Sequence, residues 1–230
     1  MFRHFIFTRW NIMIGGVSVY NNPAVKNPEE WMRHRMKLFE TYTLPSVLNQ
    51  TCKNFTWLLS FAAETPDTVT DRYRYYPFIQ IINGYPADYV RNLYPEKLKH
   101  GDWLITSRLD NDDTIEPTYI ARIQEKYLDG DSEDFLLVDT DGRQLDLKTG
   151  KYYDVARRSN NSPFISLVEK VGQKYISLNG TEITMPIKTV FYCTHTKMEW
   201  HFPSMKIPER LYTMIIHDRN VSNKIVGGPL

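Results

Sequence analysis

Four short apolar runs rich in aromatic and β-branched residues, at 2–8, 55–61, 78–82 and 103–109, recur between stretches with helical signals before residue 110. Strand alternating with helix predicts a mostly parallel sheet with right-handed crossovers, because parallel neighbours need a long return path across one face. Between the first two runs, residues 29–50 carry Trp31, Met36, Leu38, Phe39, Leu44 and Val47 as an apolar stripe, behind Asn27 and Pro28 as cap and first-turn proline. A helix bent near Pro45 follows. Shorter helices are expected at 66–75, 87–98 and 117–128, and a strand at 135–138. Asp141-Gly142 and Thr149-Gly150 read as turns of a ribbon built from 144–147 and 152–155, where the sheet becomes antiparallel. Ser162-Pro163 is expected to cap a short helix reaching Glu169, with further strands at 175–178 and 189–193. The fold class is therefore α/β: a Rossmann-like mixed sheet flanked by helices, parallel in its N-terminal half with antiparallel additions in the C-terminal half. No repeat or pooled Gly/Pro linker divides the 230 residues, so 1–230 reads as a single domain with two functional halves, 1–116 and 117–230.

Charge narrows the partners. Lys and Arg total 28 against 27 Asp and Glu, which leaves no basic field for a nucleic-acid backbone, and nucleic acid is not expected as a partner. Cys52 and Cys193 have neither metal-ligand spacing nor the number for a disulfide scaffold, which suits a reducing, cytoplasmic setting. No apolar run approaches the ~20 residues of a membrane span, and residues 1–7 read as a buried strand rather than a secretory signal. Asn-x-Thr triplets such as Asn54-Phe55-Thr56 and Asn179-Gly180-Thr181 then carry no glycosylation message.

The fourth run ends at Asp110-Asn111-Asp112-Asp113. In open α/β sheets ligands gather beyond the carboxyl ends of the strands, where loops and helix N-termini converge. Carboxylates crowded there resist ionising together unless a cation neutralises them, so the cluster reads as a metal site or as a solvated turn before the helix at Glu116-Pro117. An EF-hand loop is excluded, since it needs Gly at its sixth position and a carboxylate at its twelfth, and counting from Asp110 gives Ile115 and Ala121. Asp129-Gly130-Asp131 also lacks that pattern and reads as a helix-ending turn. A hard cation held by one or two carboxylates and otherwise by phosphate oxygens is how Mg²⁺ or Mn²⁺ sits in nucleotide-dependent enzymes. Arg9 and Arg108 fall at strand ends on the same edge, where a guanidinium can grip phosphate bidentately or pair with the aspartates. His195 and His201 with Glu199 form a rival set that lacks His-Glu-x-x-His spacing.

Thr8-Arg9-Trp10-Asn11, Leu44-Pro45-Ser46-Val47-Leu48-Asn49-Gln50-Thr51 before Asn54-Phe55-Thr56-Trp57, and Arg108-Leu109-Asp110-Asn111-Asp112-Asp113 together resemble the rhamnosyltransferase family, a branch of the GT-A-type glycosyltransferases. The similarity runs on to His217-Asp218-Arg219-Asn220-Val221-Ser222-Asn223. The resemblance implies a GT-A fold, with a nucleotide-sugar-binding half over 1–116 and an acceptor-binding half over 117–230. It implies that Asp110 and Asp112 hold Mn²⁺ or Mg²⁺ together with the donor's ribose and diphosphate, that Asp113 assists or caps, and that His217 is a third metal ligand. Thr8, Arg9, Asn11, Arg108, Asp110 and Asp113 are the donor-binding residues it suggests. The donor is a UDP, GDP or dTDP sugar, rhamnose by the family's name; the acceptor is a glycan or other hydroxyl in polysaccharide biosynthesis, reached by peripheral docking at a membrane if it is lipid-linked. Inversion is implied by the resemblance alone.

An inverting transfer needs a carboxylate base beside the acceptor hydroxyl. Glu169 is the first choice, with Asp139, Asp141 and Glu199 as alternatives that also serve as turn or loop charges. Two other classes compete. A nucleotidyltransferase is disfavoured because Thr8-Arg9-Trp10-Asn11 is not a Gly-rich basic phosphate loop and Gly15-Gly16 comes too late. A non-catalytic carbohydrate-binding module explains the aromatic residues but not carboxylates clustered at a strand end.

Overall fold

The computed structural model describes all residues except 14–15, 94–95, 129–132, 157–161, 177–178, 180, 220–224 and 226–230. Its strands are β1 (Phe2–Arg9), β2 (Thr56–Phe61), β3 (Ile79–Asn83), β4 (Trp103–Arg108), β5 (Thr114–Ile115), β6 (Phe135–Asp139), β7 (Asp141–Asp146), β8 (Lys151–Ala156), β9 (Ile165–Lys170), β10 (Lys174–Ile176), β11 (Glu182–Thr184), β12 (Ser204–Ile207) and β13 (Tyr212–Ile216). The helices are α1 (Pro28–Leu38), α2 (Leu44–Leu48), α3 (Asp67–Thr70), α4 (Pro86–Asn92) and α5 (Tyr119–Leu128), with a 3₁₀ segment at His195–Trp200.

Seven strands form the main sheet in the order β12-β6-β9-β4-β1-β2-β3, a second sheet runs β5-β13-β7-β8, and β10 pairs with β11. The mixed sheet expected from the sequence is the one that forms. β4, β1, β2 and β3 are parallel, and β9 enters antiparallel between β4 and β6. Alternate residues of β1 feed two cores: Ile6 packs with Trp57 and Leu59 on one face, Phe5 and Phe7 with Leu58 and Leu104 on the other. Both faces are thus covered, which fits parallel strands that read as nearly continuous apolar runs.

The long helical stretch starts as the sequence predicts. Asn27 accepts the Glu30 N–H at 3.1 Å and Pro28 occupies the first turn. The irregularity near Pro45 takes the form of a π-helical turn at Phe39–Thr43, which delivers the proline to the first turn of α2, where its missing N–H costs nothing. The helices expected at 66–75 and 87–98 shrink to α3 and α4. Residues 94–95 of the second stretch lie outside the described residues.

Three expectations are corrected. Residues 165–170 form β9 rather than a helix, because Ile165 to Glu169 are all buried between two strands, and a buried strand shows no period to read. Asp141-Gly142 is not a turn but the start of β7. Residues 189–193 are loop, their polar backbone taken up by Glu169 and by Thr106, whose Oγ1 accepts the Val190 N–H at 2.8 Å. The expected strand at 175–178 falls partly, and the turn at 129–131 wholly, outside the described residues.

Gly142 has its own reason. A Cβ there would run into the Tyr212 ring, which is fully buried and stacked on Phe164 at 3.9 Å, so the ring cannot swing away. Gly142→Ala is expected to destabilise the protein by about 1–3 kcal/mol, read as a lowered thermal midpoint; an unchanged midpoint would show that β7 and β13 shift apart freely.

Candidate active site

Because β4 and β6 both run antiparallel to β9, their carboxyl ends share one edge with those of β1, β2 and β3. Ser166 pairs with both Ser107 and Leu137, which sets Asp139 level with Leu109, beside the acidic cluster. An open cleft of about 440 Å³ lies at the ends of β1 to β3, lined by Ile12, Ser18, Asn21, Ala62, Glu64 and Asn83 among others. This is where a parallel sheet offers its ligand site.

Arg108 stands at the centre of the charged edge. One terminal nitrogen donates to Asp110 Oδ2 at 2.6 Å and the other lies 2.7 Å from His195 Nδ1, while its Nε is buried without a hydrogen-bond partner. Arg9, at the end of β1, lays its guanidinium over Phe191 at 5.3 Å, and its Nε is likewise buried and unsatisfied. Two guanidiniums, each with one buried N–H left unpaired, therefore stand at this edge. Phe191 was not foreseen, and His195, named in the sequence only as part of a rival metal set with His201 and Glu199, instead stands beside Arg108.

The four residues of the acidic cluster have four different duties. Asp110 is the most open, its side chain 36% exposed. Asn111 donates to the Trp10 carbonyl and accepts from Arg35 at 3.1 Å, tying α1 to the strand end. Asp112 is buried in an ion pair with Arg35 and accepts from His217 Nε2 at 3.0 Å. Burial works against its charge, but the His217 hydrogen bond and the Arg35 guanidinium outweigh it and hold the carboxyl below the usual range. Asp113 accepts the Ile215 N–H at 2.9 Å, and burial followed by the charges of Asp112 and Asp110 keeps it well above the carboxylate range. It is a strap on β13, which matches the capping alternative of the two roles expected of Asp113.

Thr8 and Asn11 also turn inward. The Thr8 hydroxyl accepts from the Trp57 indole at 2.9 Å and donates to the Leu109 carbonyl at 2.8 Å, inside the core. Asn11 donates to Thr65 and accepts the Ala62 N–H, both at 2.8 Å, which shapes the wall of the cleft without reaching into it.

The expected metal ligands do not gather as one set. Asp112 and His217 touch, but Asp110 is drawn away by Arg108 and Asp112 is already matched by Arg35. Among the described residues the group with ligand spacing is His34, His217 and Asp218. Burial and then the neighbouring His217 push the His34 imidazole below its ordinary value, so it is neutral at pH 7.

The base candidates also separate. Glu169 pairs level with Leu104, six residues short of Asp110, hence about 20 Å down the sheet at the wrong edge. Its carboxylate accepts the Lys188 and Thr189 N–H groups at 2.8 and 2.7 Å, and burial pushes it up to about 7. It anchors a loop, away from the carboxyl edge. Glu199 lies in the 3₁₀ segment and accepts from Ser204 at 2.7 Å. Asp141, half-buried, opens β7 in the second sheet. Asp139 is fully buried at the carboxyl edge with neither oxygen hydrogen-bonded, and burial pushes it up to about 8 against the opposing pull of the Tyr119 hydroxyl.

A family model described as "Putative rhamnosyl transferase" matches residues 21–229. No curated protein matches the chain. Among solved structures it is similar to S. aureus TarS 1-349 in complex with UDP-GlcNAc, at 12% identity and a TM-score of 0.46, covering 95% of this chain and 59% of that one. For the structure of S. aureus TarS the figures are 10%, 0.45, 94% and 36%, and for TarS 1-349 in complex with UDP they are 11%, 0.43, 93% and 60%. The chain thus spans three fifths or less of the TarS chains it resembles.

Proposed function

The chain belongs to the rhamnosyl transferase family and is a glycosyltransferase; from that premise we propose that it moves a sugar, rhamnose by the family's name, from a nucleoside diphosphate to a hydroxyl of a glycan. The observation that carries this reading is the pair of guanidiniums, Arg9 and Arg108, presenting unspent N–H groups beside an open cleft at the carboxyl edge. The nucleoside lies in the cleft at the ends of β1 to β3 and the diphosphate in front of Arg108. As the sugar–oxygen bond breaks, negative charge grows on the leaving diphosphate. Arg9 and Arg108 meet it with preset donors that need no reorganisation.

A divalent cation is expected beside His217, whose Nε2 is held by Asp112 at 3.0 Å. Bound there, it would add charge neutralisation at the diphosphate, with Asp110 on the open side. Asp139 is the base in this reading, because its carboxyl is fully buried at the carboxyl edge with neither oxygen in a formed hydrogen bond and the Tyr119 hydroxyl nearby. It takes the acceptor's proton as the hydroxyl attacks from the face opposite the leaving group, which gives inversion. Two free cysteines fit a cytoplasmic site of action, and no helix among the described residues is long and apolar enough to cross a membrane.

Thermal unfolding with UDP, GDP and dTDP tests the donor. One of the three is expected to raise the midpoint, by about 2.7 kcal/mol of added stability at a hundredfold excess over Kd. Arg108→Met is expected to weaken that nucleotide about 10- to 100-fold, the value of charged hydrogen bonds. No shift with any of the three would end the nucleotide-sugar reading.

A further inference from the structure

We propose that His34, His217 and Asp218 form the cation site of this protein, a two-imidazole, one-carboxylate set that selects a nitrogen-preferring transition-metal ion over Mg²⁺. The ion's part in sugar transfer rests on the function proposed above, whereas its binding does not.

The three ligand atoms lie within 4.8 Å of one another, which one ion can span with small side-chain adjustments. They come from two elements that the acidic cluster fixes in place. α1 is clamped through Arg35, which binds both Asp112 and Asn111, and His34 is the next residue along. β13 is strapped by Asp113 at Ile215, two residues before His217. The site is therefore pre-positioned by residues that are not themselves its ligands.

His217 shows how the division of labour works. Its Nε2 faces Asp112 Oδ2 at 3.0 Å, and its Nδ1 faces His34 Nε2 at 3.4 Å. With a carboxylate at Nε2, the proton belongs on that nitrogen and the lone pair on Nδ1, the side of His34 and Asp218. A carboxylate that fixes the tautomer and orientation of a ligating imidazole from behind is a recurrent feature of metal centres. Asp112 is suited to that duty and poorly suited to direct ligation, because Arg35 already neutralises it. The Arg219 N–H, 3.2 Å from Nδ1, is a weak local contact that an ion would replace.

The donor set decides the ion. Imidazole nitrogen suits Zn²⁺ and Fe²⁺, and affinities at such sites rise from Mn²⁺ to Zn²⁺, whereas Mg²⁺ holds to oxygen ligands and its own waters. Three protein ligands leave positions open for water or for diphosphate oxygens. The sequence reading placed the ion among aspartates and so left Mg²⁺ and Mn²⁺ equal; the fold makes them unequal.

Calorimetric titration of the full chain with ZnCl₂, MnCl₂ and MgCl₂, without nucleotide, tests this. One Zn²⁺ per chain is expected, bound more tightly than Mn²⁺, with Mg²⁺ weakest. His34→Ala and Asp218→Asn are each expected to weaken Zn²⁺ by at least tenfold, and Asp110→Asn to leave Zn²⁺ affinity within about twofold. Asp218 is exposed, so Asp218→Asn keeps the test open should His34→Ala fold poorly. The proposal is overturned if Mg²⁺ binds as tightly as Zn²⁺, if affinity falls with Asp110→Asn but survives Asp218→Asn, or if no ion binds. A nucleotide shift in metal-free buffer alongside absent metal binding would sink this site while leaving the transferase reading intact.

Discussion

Asp139→Asn is expected to give a protein that is more stable than the wild type at pH 9 and nearly inactive at every pH. Both effects come from one carboxyl that is fully buried, without a hydrogen-bond partner, and pushed up to about 8 by burial. The folded chain keeps a proton there that the unfolded chain releases above its ordinary value near 3.8. The native state therefore binds more protons between those two values, and stability falls as pH rises through that window. The contribution is whole below about 4 and lost by the time pH passes 8. At about 1.4 kcal/mol per unit, the difference between variant and wild type should open to several kcal/mol at alkaline pH and close in acid. An amide cannot ionise, so the variant's curve lacks this slope. Activity should move the other way. Loss of a general base costs about 10²- to 10⁴-fold, and the wild-type rate should climb with pH as Asp139 becomes able to accept a proton. An unsatisfied buried carboxyl is a standing cost to the fold, and a site that keeps one trades stability for chemistry. If Asp139→Asn gains stability and still transfers sugar, the carboxyl is a core defect and the base must be sought at Asp141.

What the sequence made legible follows from which interactions are local. The four parallel strands and the capped helix behind Asn27-Pro28 were readable because period, cap and proline act within a few residues. β9 was not, since a strand buried on both faces carries no alternation, and the Ser162-Pro163 signal that suggests a helix start is equally the start of a strand. Asp110, Arg9 and Arg108 were legible as residues of the carboxyl edge because strand ends mark that edge whatever the rest of the chain does. Thr8, Asn11 and Asp113 sit in the same motifs yet turn inward, and adjacent positions on a strand end differ only by which way the pleat points them. His34, and the place of His195 beside Arg108, could not be seen. Their partners, His217 and Arg108, are far away in the chain, and only the packing of α1 and of the 3₁₀ segment onto the sheet edge makes them neighbours.

Breaking the Arg35–Asp112 pair from one side is expected to be the most destabilising change in the molecule. Both side chains are about nine-tenths buried, so Arg35→Met leaves a carboxylate in the interior with His217 as its remaining partner among the described residues, and Asp112→Leu leaves a guanidinium held by Asn111 and the Trp31 ring. Removing one member of a buried pair costs about 3–5 kcal/mol, which in a chain of this size is a drop of about 10 °C in the thermal midpoint. The double variant should not fall by the sum. With both charges gone, apolar side chains of similar volume occupy the space and neither ion is stranded, so the cycle should return a coupling of about 2–3 kcal/mol in the pair's favour. Acid should reproduce the single loss. Asp112 is held below the ordinary carboxylate range, so its stabilising contribution is present above that range and disappears as pH falls through the folded value, a slope opposite in sign to that of Asp139. Strictly additive losses would mean that Arg35 and Asp112 matter through other contacts. A strong coupling would identify the pair as the clasp between α1 and the sheet edge, the contact on which the relative placement of His34 and His217 depends.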